Sequence, residues 1–103
     1  MIAITVIYPY QPDYHFDFDY YLNKHMPLVE KRWGPMGLGK TTVLAGQPGP
    51  DGKPPLYAVM TIIEFESAEA FQKAAAAHGG ELFGDVPNFT NIPAVSQLNQ
   101  IKL

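Results

Sequence analysis

Within Asp17-Phe-Asp-Tyr-Tyr-Leu-Asn-Lys-His25-Met-Pro-Leu28, one histidine lies in an apolar helical stretch immediately before a proline. An imidazole changes charge near neutrality, so it can take a proton from one group and return it to another, the chemistry of a general base or acid. Residues four apart share a helix face, which sets the Tyr21 phenol one turn from His25; on this reading both project with Leu22, Met26 and Val29. Pro27 lacks a backbone donor and crowds the carbonyl four residues before it, so the helix is expected to kink or restart there and open a pocket beside the imidazole. A histidine on an apolar face also suits a satisfied core position, and this stretch alone leaves both roles open.

Two other constellations have the right letters and the wrong setting. Gly34-Pro-Met-Gly-Leu-Gly39-Lys40-Thr41 satisfies the Walker A pattern, but a phosphate-binding loop follows a strand and opens a helix, whereas this one follows a helix and enters the β-prone Thr41-Thr-Val-Leu44. Nucleotide binding is not expected. Asp13, His15, Asp17 and Asp19 cluster in sequence, yet capping and solvation account for the aspartates and the spacing matches no zinc or calcium loop, so no metal is expected. His78, near a helix C-terminus, reads as structural, and Asn88-Phe-Thr90 is a glycosylation sequon in form only.

The elements that must position His25 follow from length and pattern. With 103 residues, a net charge of only −3 and no cysteine, the chain is read as a single domain, residues 1–103, without disulfides or thiolate chemistry. The mild charge makes nucleic acid an improbable partner. Met1 to Tyr8 is apolar but lacks a basic leader, so it reads as a strand and not as a signal or membrane span; a soluble cytoplasmic protein is expected. Asp17 can cap a helix running to about Lys24 and, beyond Pro27, to Arg32 or Trp33, with Gly34, Pro35 and Gly37 ending it. A strand over Lys40–Ala45, an exposed turn over 46–55 and a strand over Leu56–Phe65 come next. Ser67 caps an alanine-rich helix expected to stop at Gly79-Gly80, and a last strand spans Val95 to Lys102.

Strand, helix, strand, strand, helix, strand is the ferredoxin-like order, an α+β fold with one antiparallel sheet and two helices on one face. Alternate residues of the first strand (Ile2, Ile4, Val6, Tyr8 against Ala3, Thr5, Ile7) and of the third leave neither face polar. Two helices cover one side only, so a second copy is expected on the other, giving a homodimer through the sheet face.

Phe18-Asp-Tyr20-Tyr21-Leu-Asn-Lys-His25-Met-Pro27-Leu28-Val29 resembles the signature helix of the EthD family. Gly80-Glu-Leu82-Phe83-Gly-Asp85-Val-Pro87-Asn88-Phe89-Thr90, with Ile92-Pro93 and a terminal strand, is similar to that family's C-terminal pattern. The resemblance implies the dimeric α+β barrel superfamily, in which two sheets pack face to face and each subunit keeps a cleft between helices and sheet. Proteins similar in fold include cofactor-free monooxygenases, polyketide cyclases, lactone isomerases and haem-handling enzymes; the family's name derives from association with alkyl ether degradation, which suggests xenobiotic catabolism. Fold does not fix chemistry.

In such a cleft His25 would serve as general base or acid, with Tyr21 hydrogen-bonding to a substrate carbonyl or enolate. Trp33, Phe65, Phe83 and Phe89 would wall a hydrophobic or aromatic ligand, although aromatics at these spacings also fill cores. Asp85 would orient His25 or polarise a substrate, or else bond to neighbouring backbone amides. Haem on His25 lacks a basic patch for its propionates, and no cofactor is expected. The reading is an EthD-like protein that binds a small hydrophobic metabolite and catalyses a cofactor-independent proton transfer, cyclisation or oxygenation. The alternative is a non-catalytic ligand-binding or accessory module of a catabolic pathway.

Overall fold

The structure, a computed structural model, describes all 103 residues. The chain runs β1 (Ile2–Pro9), α1 (Phe18–Tyr20), a π-helical turn (Tyr21–His25), α2 (Met26–Trp33), β2 (Leu38–Ala45), β3 (Tyr57–Phe65), α3 (Ala68–Gly84) and β4 (Val95–Gln100). The four strands form one antiparallel sheet in the order β2-β3-β1-β4, which is the ferredoxin-like fold.

Register decides which side chains face the helices. Ile4 pairs with Ile63, Val6 with Thr61 and Tyr8 with Val59 across β1 and β3, while Ile4 and Val6 meet Leu98 and Ser96 of β4. Directly opposed residues share a face, and on this one Ile4, Tyr8, Val59, Ile63 and Phe65 join Tyr21, Val29, Trp33 and Leu82 in a single core. Ile7, Met60 and Ile62 lie outside that core on the far face, with Leu44 beside them. That face is less uniformly apolar than β1 and β3 foretell, because β4 adds Gln97 and Asn99 to it.

The disturbance expected at Pro27 takes the form of a π-helical turn just before it: α1, the π turn and α2 follow one another without a break, and the Met26 N–H donates to the Tyr21 carbonyl five residues back. Widening the helix just before Pro27 accommodates a residue that has no N–H and whose ring would crowd a normal turn. The wide turn also rephases the side chains: Tyr21, His25, Met26 and Val29 are buried, but Leu22, expected on the same face, is 49% exposed.

Both N-caps lie where expected, Asp17 accepting from the Tyr20 N–H and Ser67 from the Ala70 N–H. The second helix does not stop at Gly79-Gly80 but continues to Gly84. Burial of Gly79 and Leu82 and an Arg32–Glu81 pair to α2 outweigh a glycine penalty of about 1 kcal/mol per residue. The strand limits differ by one or two residues: β2 starts at Leu38, β3 at Tyr57, and β4 ends at Gln100. The Walker-like segment passes through a 3₁₀ turn at Gly34–Met36 and Gly37, whose φ of 106° suits glycine, straight into β2; it opens no helix.

Candidate active site

Between the helices and the sheet lies a cavity of about 210 Å³, lined by 17 residues of which 14 are hydrophobic. The other three are His25, Ser96 and Gln97, the last through its backbone because its side chain is on the far face with Asn99; no Lys, Arg, Asp or Glu reaches its wall. β1 contributes Ile4, Val6 and Tyr8 to the floor, and α2 and α3 supply Val29, Trp33 and Leu82.

His25 joins this cavity to a polar cluster behind it. Its Nδ1 lies 2.9 Å from Asp85 Oδ2, across 60 residues of sequence. Asp85 Oδ1 accepts hydrogen bonds from the Tyr20 hydroxyl (2.6 Å) and the Asn88 amide (2.8 Å). Burial alone would push the Asp85 carboxyl up, but these two bonds, the one to His25 and the imidazole's charge more than offset it, and the carboxyl titrates below its ordinary value. An ionised carboxylate only accepts, so the network assigns the Nδ1 proton to His25 as donor; in the neutral imidazole the lone pair is then on Nε2. Nε2 has no protein partner, and no buried side-chain nitrogen or oxygen is left without one, so it is open to the cavity that His25 lines.

The imidazole packs against two rings. Tyr21 stacks on it at 5.2 Å with 12° between the planes, and Phe89 lies at 4.7 Å. Tyr21 spends its hydroxyl on Thr61 Oγ1 of β3. Burial pushes the Tyr21 phenol up despite its bonds to Thr61 and Tyr8; burial and the adjacent Tyr21 do the same to Tyr8, and the bond to Asp85 raises Tyr20. All three phenols stay protonated at neutral pH.

Of the residues that the sequence suggested, His25, Tyr21, Trp33 and Phe83 line the cavity, and Asp85 sits behind His25. Trp33 is fixed by its indole N–H donating to the Ala74 carbonyl, and Phe83 is half-exposed. Phe65 and Phe89 are fully buried and do not line the wall; Phe65 packs beneath Trp33, and Phe89 backs His25. Tyr20, Asn88, Thr61 and Tyr8 were not anticipated. Asn88 had a local signal, since an aspartate followed by Val-Pro-Asn suits a 3₁₀ turn in which the amide folds back on the carboxylate. No three acidic or histidine side chains converge closely enough to hold a metal ion.

A depressed carboxyl stabilises the fold above its unfolded value, near 3.9, and that contribution disappears as pH falls through the folded value. Asp85→Asn should therefore be less stable than the parent from pH 5 to 8, and the gap should close in acid. Thermal melting of both proteins from pH 2 to 7 checks this; a gap independent of pH down to pH 2 would refute it.

An antiparallel sheet in the order β2-β3-β1-β4 carrying its helices on one face, with an apolar cavity beneath them, defines the ferredoxin-like α+β class. The chain belongs to the EthD-like family. An EthD-like protein from Ralstonia eutropha JMP134 is 37% identical and superimposes with a TM-score of 0.91 over 99% of this chain and 92% of its own. An ethyl tert-butyl ether degradation (EthD) family protein from Bacillus halodurans C-125 is 24% identical, with a TM-score of 0.76 over 98% of both chains. SnoaB, a cofactor-independent oxygenase from Streptomyces nogalater, shares the fold at 10% identity and a TM-score of 0.64, over 99% of this chain and 92% of its own. No family profile and no curated protein sequence matches the chain.

Proposed function

We propose that the cavity binds a small hydrophobic molecule and that His25 removes a proton from it through Nε2, with Asp85 holding the imidazole and stabilising the imidazolium that forms. Isomerisation, cyclisation and cofactor-independent oxygenation of such a molecule can each begin with this step. The observation that carries the reading is the line from cavity to Nε2 to Nδ1 to Asp85. A histidine kept only for packing would have both nitrogens satisfied by protein, and here one faces an apolar void. The resemblance in fold to a cofactor-independent oxygenase agrees with this reading. A binding module would share the cavity but has no use for an oriented, unpartnered base.

A second copy is proposed to cover the far face of the sheet over Ile7, Met60 and Ile62, which the helices do not reach. One of the fold neighbours, from an uncultured marine organism, is a dimeric ferredoxin-like protein. Native mass spectrometry of the protein purified from its own host tests both statements. A dimer carrying an apolar small molecule is expected, and Val6→Phe, which fills the cavity from β1, should keep the dimer and lose the ligand. A monomer overturns the proposed interface, and a ligand retained by Val6→Phe overturns the cavity as its site.

A further inference from the structure

The void, its wall and the state of Nε2 together restrict the ligand. We infer that it is a neutral, single-ring compound bearing a hydroxyl that donates to His25, a simple phenol or a cyclic enol; this rests on the cavity being the binding site.

Size comes first. An engineered apolar cavity of about 150 Å³ takes up one benzene. By the same ratio of volume to heavy atoms, 210 Å³ holds about eight or nine, a ring with two or three substituent atoms. Fused three-ring compounds do not fit unless most of the molecule stays outside. Charge comes second. No Lys or Arg lines the wall, and the charge nearest to it is the Asp85 carboxylate behind His25, so against a neutral His25 an entering anion would be desolvated without a partner and repelled as well. Polarity comes third. Asp85 occupies the Nδ1 proton, so a neutral His25, the form able to act as a base, offers a lone pair at Nε2 that a ligand donor satisfies. A ligand ether or ketone would meet this nitrogen lone pair to lone pair.

The same geometry defines the proton step. The ligand O–H bond breaks, the proton moves to Nε2, and the electron pair stays on the ligand oxygen. Imidazolium then lies between two anions, the new oxyanion and Asp85, and donates to both. The step needs no other reactant.

Isothermal titration with four probes tests the assignment: 4-methylphenol, 4-methylanisole, 4-methylbenzoate and 1-anthrol. 4-Methylphenol should bind, its methyl ether about 10-fold or more weakly, as the loss of one buried hydrogen bond implies, and the benzoate and the three-ring anthrol weakest of all. His25→Phe keeps the ring's volume without its nitrogens and should erase the preference for the phenol over the ether. Equal binding of ether and phenol, a persistent preference in His25→Phe, or tighter binding of benzoate or anthrol overturns the ligand class while leaving the cavity a binding site. No binding of any probe, with Val6→Phe indistinguishable from the parent, overturns the class and the site together.

Discussion

Replacing His25 by alanine is expected to lower turnover of the cognate ligand by about 10²–10⁴-fold while leaving its affinity within about 10-fold, because a positioned base acts mainly in the transition state. The effect should fall on kcat. Three features set this expectation: an Nδ1 proton committed to Asp85, an unpartnered Nε2, and a ring packed against Tyr21 and Phe89. A binding module would show the opposite split, with affinity changed and no turnover to lose. A packing histidine would show neither. The variant also leaves Asp85 with two donors instead of three and opens space against Tyr21, so a loss of about 1–3 kcal/mol in stability should accompany it. Melting curves taken beside the kinetics separate the two effects, and unchanged kcat in a folded His25→Ala protein would reject the base assignment.

Phe89→Ala should be the most destabilising single truncation near the site, at about 3–5 kcal/mol. Phe89 is fully buried, and its ring meets those of Tyr8, Phe16, Tyr20, Tyr21 and His25. Its carbonyl accepts from the Asp17 N–H, which ties the cap of α1 to the segment that carries Asp85. Against a total of about 5–15 kcal/mol, such a loss leaves little margin, and at roughly 4–8 °C per kcal/mol the melting point should drop by about 12–40 °C. Phe89→Leu should recover much of it. Below its melting point that variant should still bind ligand nearly as well as the parent, because Phe89 backs the imidazole and does not border the cavity. A large loss of affinity in a stable Phe89→Leu protein would instead make it a wall residue.

Asp17, Ser67 and the alternating strands were legible in the sequence because capping and periodicity act over three or four residues, and the order of elements they mark out is the ferredoxin-like fold. Gly79-Gly80 shows where such local reasoning ends: two glycines signal a stop, but packing of α3 through Leu82 carries the helix onward. The π turn is a similar case. Pro27 announced a disturbance, and only the demand that Tyr21, His25 and Met26 all enter the core determined that the helix would widen there.

His25 was visible by its type and its apolar company, and Asp85 by its place in a family-like segment. Their pairing was one of several roles the sequence left open to Asp85, for nothing in a separation of 60 residues tells how close two side chains will come. That distance is set when α3 packs against α2 and its C-terminal turn folds back over α1. The same packing sends Trp33 and Phe83 to the cavity and seals Phe65 and Phe89 behind it, although all four are equally apolar in sequence. Residue chemistry and local periodicity thus determined which groups this protein has and which elements carry them. Tertiary packing alone decided which groups meet and which ring nitrogen is left to face the void, because burial and hydrogen bonding between distant segments are settled only when those segments touch.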